Sequence, residues 1–289
     1  MKPQKSLQEQ LPELRPGQSI ELLKELHILT REGKLNQDTR RKLKQVYHLV
    51  RFIEPLLADV LKITGDVSLA DHGAGKSYLG FILYDLFFKD KPVGWVTGVE
   101  TRAELVERSQ ALAQRLGFDR MRFLATTVQE ALTHPELPAT IDVVTALHAC
   151  DTATDDAIAF GLAKQAKHMV LVPCCQAEVA AVMKRSRALN LARTPLAELW
   201  RHPLHTREFG SQITNVLRCL QLEANGYGVT VTELVGWEHS MKNELILASR
   251  NGPGQQAQQQ RAAERLQQVL DELGLQTLAT RFGGITGVA

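Results

Sequence analysis

The sequence predicts an α/β fold, a doubly wound sheet of seven strands preceded by an N-terminal helical extension. Three observations carry that prediction. Short apolar runs rich in β-branched residues recur from Val67 onward, helical stretches separate them in alternation, and the first 66 residues carry only helical periodicity. Strands and helices alternating in this way build a parallel sheet covered by helices on both faces.

In the extension, SIELLKELHILTREG sets Leu22, Leu23, Leu26 and Leu29 near one face and predicts a helix that stops at Gly33. NQDTRRKLKQVYHLVRFIEPLLADVLKI begins on cap-type residues and carries Leu43, Val46, Tyr47, Val50 and Ile53 at helical spacing, with Pro55 expected to break or kink it. The predicted strands are VSLADHG, PVGWVTGVE, RMRFLAT, IDVVTALHA and HMVLVPCC. The helices among them include KSYLGFILYDLFF, TRAELVERSQALAQRLG and DDAIAFGLAKQAK. A basic, mostly helical stretch follows from Ala177 to Asn225, then GVTVTELVGW and NELILASR as closing strands. Leu266, Val269, Leu270 and Leu273 stripe a final helix. The expected domains are therefore 1–66, the extension; 67–250, the sheet domain with 177–225 as a helical insertion; and 251–289, a C-terminal helix and tail.

With 44% hydrophobic and 23% charged residues the composition is that of a globular protein. A net charge of +2 says little by itself, so any nucleic-acid argument must come from local clustering. No apolar run approaches the roughly 20 residues needed to span a bilayer, and MKPQKSLQEQLPELRPGQ lacks the apolar centre of a signal peptide. Cys150, Cys174, Cys175 and Cys219 show no paired secretory spacing. The expectation is a cytoplasmic protein with no membrane partner and no evident obligatory protein partner.

The segment ADHGAGKSYLGF, residues 70–81, lies where the first strand meets the first sheet helix and suggests three different ligands. A phosphate-cradling loop needs GxxxxGK[ST], but counting back five from Gly75 reaches Ala70, inside the strand, so GKS reads as a coincidence. A dinucleotide fingerprint asks for glycine at 73, 75 and 78, and position 78 is Tyr. An acid before a tight glycine turn suits S-adenosylmethionine better. Gly73, Ala74 and Gly75 let the backbone approach the ligand's amino-acid end, and Asp71 stands to hold its ammonium. Glu100 closes the second strand, where a carboxylate accepts both ribose hydroxyls. The plain alternative is that Asp71 and Glu100 cap the helices that follow them.

LADHGAGKSYLGF with GVETRAELVERSQALAQRLG resembles the class I S-adenosylmethionine-dependent methyltransferases over about residues 67–250. KLKQVYHLV, LHACDTATD and VPCCQ resemble, more narrowly, a methyltransferase-domain family that includes eukaryotic tRNA ribose methyltransferases. The resemblance implies a Rossmann-like methyltransferase sheet with S-adenosyl-L-methionine as cofactor, its methionine end at Asp71, Gly73, Ala74 and Gly75 and its ribose at Glu100. It also implies adenine contacts at Thr127 and Val128, after the third strand, and places His148 near the methyl group. Ser77 stands where the common DxGxGxG pattern has its last glycine, at a position expected to be helical already, so that the change concerns packing.

The fourth and fifth strands are expected to be neighbours, which would bring LHACD and VPCCQ together as a catalytic wall of His148, Asp151, Cys174 and Cys175. His148 or Asp151 would serve as a base or orienting group for an oxygen or nitrogen nucleophile. Alternatively, Cys174 or Cys175 would attack a pyrimidine ring, its thiolate favoured by a helix starting just after Pro173. The third reading makes the cysteines small buried fillers. No metal is expected, because adjacent cysteines chelate one ion poorly. The NPPY or DPPY sequence of base amino-methyltransferases does not follow the fourth strand.

Between Arg31 and Arg51 there are seven Lys/Arg against two acids, and between Lys184 and Arg207 six against Glu198 alone. Two basic regions beside such a core point to a polyanion, and the narrower resemblance makes RNA (tRNA or rRNA) the expected partner. Candidate phosphate contacts are Arg40, Arg41, Lys44, Lys184, Arg185 and Arg187, and Trp237 is a candidate for base stacking. Gln45 and His48, three apart, lie near one another. A similar pair precedes the core in the resembled family, which implies that the extension's helix folds over the cofactor pocket, the plain alternative being a polar edge on a packed helix. A solvated helix face would explain the same charges. That leaves open a small-molecule or protein methyltransferase, or a non-catalytic protein that binds the cofactor and RNA.

Overall fold

The computed structural model describes residues 11–147, 151–173, 176–186, 193–234 and 244–283. Seven strands form one sheet in the order β3-β2-β1-β4-β5-β7-β6, with β7 antiparallel to both its neighbours. The chain divides into two compact units after Thr127. Among the described residues no helix is long and apolar enough to cross a membrane.

The first unit holds α1 (Ile20–Glu25), α2 (Gln37–Thr64), β1 (Ser68–His72), α3 (Tyr78–Leu83), a π-helical turn (Tyr84–Phe88), β2 (Trp95–Glu100), α4 (Ala103–Arg115) and β3 (Met121–Ala125). β1 and β3 flank β2 in parallel, with Asp71 opposite Gly98 and Glu100 opposite Ala125. Burial on both faces explains why these strands read as unbroken apolar runs. Two expectations are corrected here. α1 stops at Glu25 rather than near Gly33, because His27 takes a left-handed φ of 55° and the N–H groups of Ile28 and Leu29 both turn back to the Leu23 carbonyl. Pro55 does not end α2, although proline costs a helix about 3 kcal/mol through its lost hydrogen bond and ring clash. The buried stripe Leu43, Val46, Leu49, Val50, Ile53, Leu57 and Val60 runs straight through it, so packing outweighs that cost.

The second unit holds α5 (Val128–Ala131), β4 (Val143–Leu147), α6 (Ala153–Ala163), β5 (His168–Val172), α7 (Glu178–Ser186), α8 (Pro203–Ala224), β6 (Tyr227–Glu233), β7 (Glu244–Arg250), α9 (Gln256–Glu272) and α10 (Ala279–Phe282). β4 and β5 pair in parallel, Leu147 opposite Val172. Val179 and Met183 of α7, Leu217 of α8, Leu266 and Leu270 of α9 and Phe282 of α10 share one core. Gly210 lets α8 approach α7, since a Cβ there would lie 2.7 Å from the Ala180 Cα.

Candidate cofactor turn and catalytic wall

β1 ends on Asp71 and His72, both buried. Gly73 and Gly75 follow with φ of 63° and 56°, left-handed conformations that glycine adopts without a Cβ clash. Between them the Ala74 N–H donates to the Val99 carbonyl at 3.1 Å, which pins the turn to β2. Ser77 is not helical as expected: it is the N-cap of α3, with φ 48° and ψ 41°. A side chain held there costs roughly 1–2 kcal/mol, so the serine is more than a packing change. Its hydroxyl donates to Asp71 Oδ2 at 3.2 Å and thereby orients the carboxylate of the turn. Gly80 makes room for this contact, since a Cβ there would sit 2.5 Å from Ser77 Oγ. The sequence signal for Gly80 was a glycine one helical turn beyond Ser77 within an otherwise apolar helix.

Glu100 closes β2 and is buried. Its Oε2 accepts from the Gly75 N–H at 2.8 Å and from Arg102 Nη2 at 3.2 Å. Its Oε1 accepts from Arg102 Nε at 2.9 Å and from the Arg102 backbone N–H at 3.1 Å. Burial by itself would raise the carboxyl pKa, but the hydrogen bonds from Arg102 and Gly75 and the guanidinium charge bring it down to about 2. Glu100 thus caps the start of α4 and also ties the glycine turn to the end of β2. One carboxylate does both. Arg102 was not among the expected site residues.

Burial pushes His72 down to about 4, against the opposing pull of the Glu100 charge. An unfolded histidine titrates near 6.5, so between these values the unfolded chain binds the extra proton. Stability from this group is full above about pH 6.5 and falls as pH drops toward about 4, by up to about 3 kcal/mol. Urea unfolding of the parent at pH 7 and pH 4.5 should show that loss, and His72→Gln should remove most of the difference. Equal pH slopes in the two proteins would refute the assignment.

Of the expected adenine contacts, Thr127 follows Thr126, whose N–H donates to the Glu100 carbonyl at 3.1 Å; Val128 opens α5.

In the second unit, Leu147 at the end of β4 lies opposite Val172 at the end of β5. Asp151, in a left-handed conformation with φ 52°, accepts at Oδ1 from the Ala177 N–H at 3.2 Å. Behind it stands Arg218 of α8, fully buried. Its Nη2 donates to the Asp151 carbonyl at 2.9 Å, its Nε to Asp155 Oδ1 at 2.6 Å and its Nη1 to Asn215 Oδ1 at 3.1 Å. Asn215 in turn donates to Glu244 Oε2 at 2.6 Å, and the Gln176 amide lies 2.7 Å from Asn215 and 2.6 Å from Ser211 Oγ. Sequence reasoning missed this network. Its signal was a charged residue, Arg218, beside Leu217 on the buried stripe of α8.

His148, Cys174 and Cys175 lie outside the described residues. The helix expected just after Pro173 begins only at Glu178, and the Ala177 N–H before it is engaged by Asp151. Burial first, then the charges of Glu244 and Glu223, push the Cys219 thiol up to about 12, so that cysteine is protonated and inert at neutral pH.

Arg40, Arg41 and Lys44 are exposed on the first turns of α2. Arg40 pairs with Glu13 at 3.0 Å and Arg41 with Asp38 at 3.9 Å. Further along α2, the His48 ring meets Phe52 edge-on at 5.1 Å. Lys184 and Arg185 are exposed in the last turn of α7. Arg187 and Trp237 lie outside the described residues.

Residues 41–182 match the family described as "Methyltransferase domain". No curated protein sequence matches the chain. Among solved structures, the chain is similar to magnesium protoporphyrin IX methyltransferase from Synechocystis PCC 6803 with bound SAH, at 15% identity over 80% of this chain and 93% of that one, TM-score 0.46. It is similar to the fibrillarin pre-rRNA processing protein of Methanococcus jannaschii at 11% identity over 65% and 67% of the two chains, TM-score 0.41. It is also similar to an rRNA methylase from Streptococcus thermophilus at 9% identity over 70% and 96%, TM-score 0.41.

Proposed function

We propose that this chain, which carries a methyltransferase domain over residues 41–182, is a class I S-adenosylmethionine-dependent methyltransferase that methylates RNA. The observation that carries the substrate is the exposed face of α2. At 3.6 residues per turn, Arg40, Lys44, Arg51 and Lys62 fall within about 40° of one another along roughly 33 Å of helix. All four are exposed. Among the described residues, Arg40 alone of them has an acidic ion-pair partner, Glu13, and the nearby Glu54 is taken by Arg15 at 2.6 Å. Such a stripe suits a chain of phosphates. Lys184 and Arg185 add a second basic cluster in the other unit.

In this reading Asp71, oriented by Ser77, holds the ammonium of the cofactor, the backbone of Gly73, Ala74 and Gly75 admits its carboxypropyl end, and Glu100 takes the ribose hydroxyls. Thr127 and Val128 border the adenine. Bound there, S-adenosylmethionine would supply its methyl group to the substrate nucleophile and would depart as S-adenosylhomocysteine. Asp151, held by Ala177 and Arg218, orients the nucleophile or receives its proton, together with His148. Cys174 and Cys175 supply the alternative nucleophile if carbon is the target. A cytoplasmic setting accords with the free Cys219 thiol.

The test supplies the protein with methyl-labelled S-adenosylmethionine and total RNA, then separates nucleosides by mass spectrometry. Label should appear in a nucleoside, and Arg40→Glu/Lys44→Glu should lower incorporation at least tenfold with cofactor affinity unchanged. Label confined to protein or small molecules would exclude RNA.

A further inference from the structure

Between Gly75 and Ser77, Lys76 has no role in holding the cofactor as read above, yet it is exposed and helps to line a cavity of about 350 Å³ in the first unit. Arg108 and Arg115 of α4 contribute to the same lining, as do His27 beyond α1 and Tyr78 at the start of α3. The arrangement follows from the sequence. Leu105, Arg108, Leu112 and Arg115 recur at three- and four-residue steps, so α4 turns one face to the cavity. The left-handed backbone at His27 brings the end of α1 to its rim. Three fixed cations meet one acid, Glu25, which pairs with Arg115 at 2.8 Å. Among the described residues, Lys76 and Arg108 have no acidic partner. The half-buried Leu105 and Leu112 supply apolar surface between the charges.

We infer that this cavity binds RNA backbone, with phosphates on Lys76, Arg108 and Arg115 and an unpaired base against Tyr78. The inference rests on the proposal that RNA is the substrate and adds a site to it. Cations interleaved with an aromatic ring are what a single strand needs, since charge holds the backbone and the ring holds a base. An acidic peptide would use the cations alone. The position has a consequence as well. Lys76 follows Gly75, whose N–H is bonded to Glu100, so a phosphate held here keeps the strand beside the cofactor turn.

The experiment uses the full chain, a fluorescent single-stranded oligoribonucleotide and a salt series. Arg108 is exposed, so Arg108→Glu should fold as the parent does, which a thermal melt verifies. The variant should bind the RNA about tenfold more weakly at low salt and flatten the log–log salt slope by at least about one unit. Arg108→Lys should restore most of the affinity, and calorimetry should show S-adenosylmethionine binding unchanged in both variants. If the parent binds RNA and Arg108→Glu binds it with the same affinity and slope, the inference is overturned while the RNA reading stands. A parent that binds no RNA overturns both. Loss of poly-glutamate binding in Arg108→Glu with RNA binding intact makes the cavity a protein dock, and the inference fails.

Discussion

An Arg218→Met variant should lose about 3–5 kcal/mol of stability, the usual cost of leaving one member of a buried ion pair uncompensated. Methionine fills much of the same volume, so the loss reports charge and hydrogen bonding rather than a cavity. Among the described residues Asp155 would keep only the Arg281 ion pair, at 3.7 Å, and Asn215 and the Asp151 carbonyl would each lose a donor. The effect should reach function, because Asp151 would be held only through its side chain and the Ala177 N–H. Single-turnover methyl transfer should therefore fall far more than cofactor affinity. Adding Asp155→Asn removes the stranded carboxylate and should recover part of the stability but little of the activity. Urea unfolding and rapid-quench kinetics on the parent, the single and the double variant test both halves. A single variant within 1 kcal/mol of the parent would show that the arginine does not anchor the wall.

How much of this was legible depended on whether a feature is local or tertiary. The strands announced themselves because burial on both faces demands β-branched apolar runs, and residues 68–72, 95–100, 121–125, 143–147 and 168–172 are those runs. The glycine turn was equally readable, since Gly73 and Gly75 do adopt the backbone that a sharp strand-to-helix turn requires. Ser77 was misread because the partner of its hydroxyl, Asp71, lies six residues earlier and in another element. Arg218 was invisible for a related reason: a lone arginine in a basic region looks solvated until Asp155, from a distant helix, is seen beside it. Pro55 shows the converse. A strong local rule lost to seven buried side chains on one face of α2.

The largest effect on ligand binding should come from Glu100. Glu100→Gln should weaken S-adenosylmethionine by about tenfold to a hundredfold, the 1–3 kcal/mol typical of a hydrogen bond to a charged group. Arg102→Ala should act in the opposite direction. The Arg102 guanidinium engages both Glu100 oxygens, at 2.9 and 3.2 Å, which are the atoms that two ribose hydroxyls would require in the proposed reading. On that reading it leaves before the cofactor seats. With 59% of its side chain exposed, it swings into water, although the buried Glu100 carboxylate makes the pair worth more than the about 0–1 kcal/mol of a fully exposed one. Its removal should accordingly tighten the cofactor by about fivefold or more. The pH profile separates this competition from other causes. In the parent the Glu100 carboxyl, at about 2, is ionised throughout the range where the protein is assayed, so affinity should be flat through this group from pH 7 down to pH 5. Arg102→Ala removes the main hydrogen bonds that depress it and returns the pKa toward the ordinary 4.5, so the tighter binding should begin to fade as pH drops below about 5.5. Calorimetry with S-adenosylmethionine between pH 4.5 and pH 8 measures all three effects. Unchanged binding in Glu100→Gln would remove Glu100 from the ribose site, and weaker binding in Arg102→Ala would make the guanidinium a ligand of the cofactor instead of its competitor.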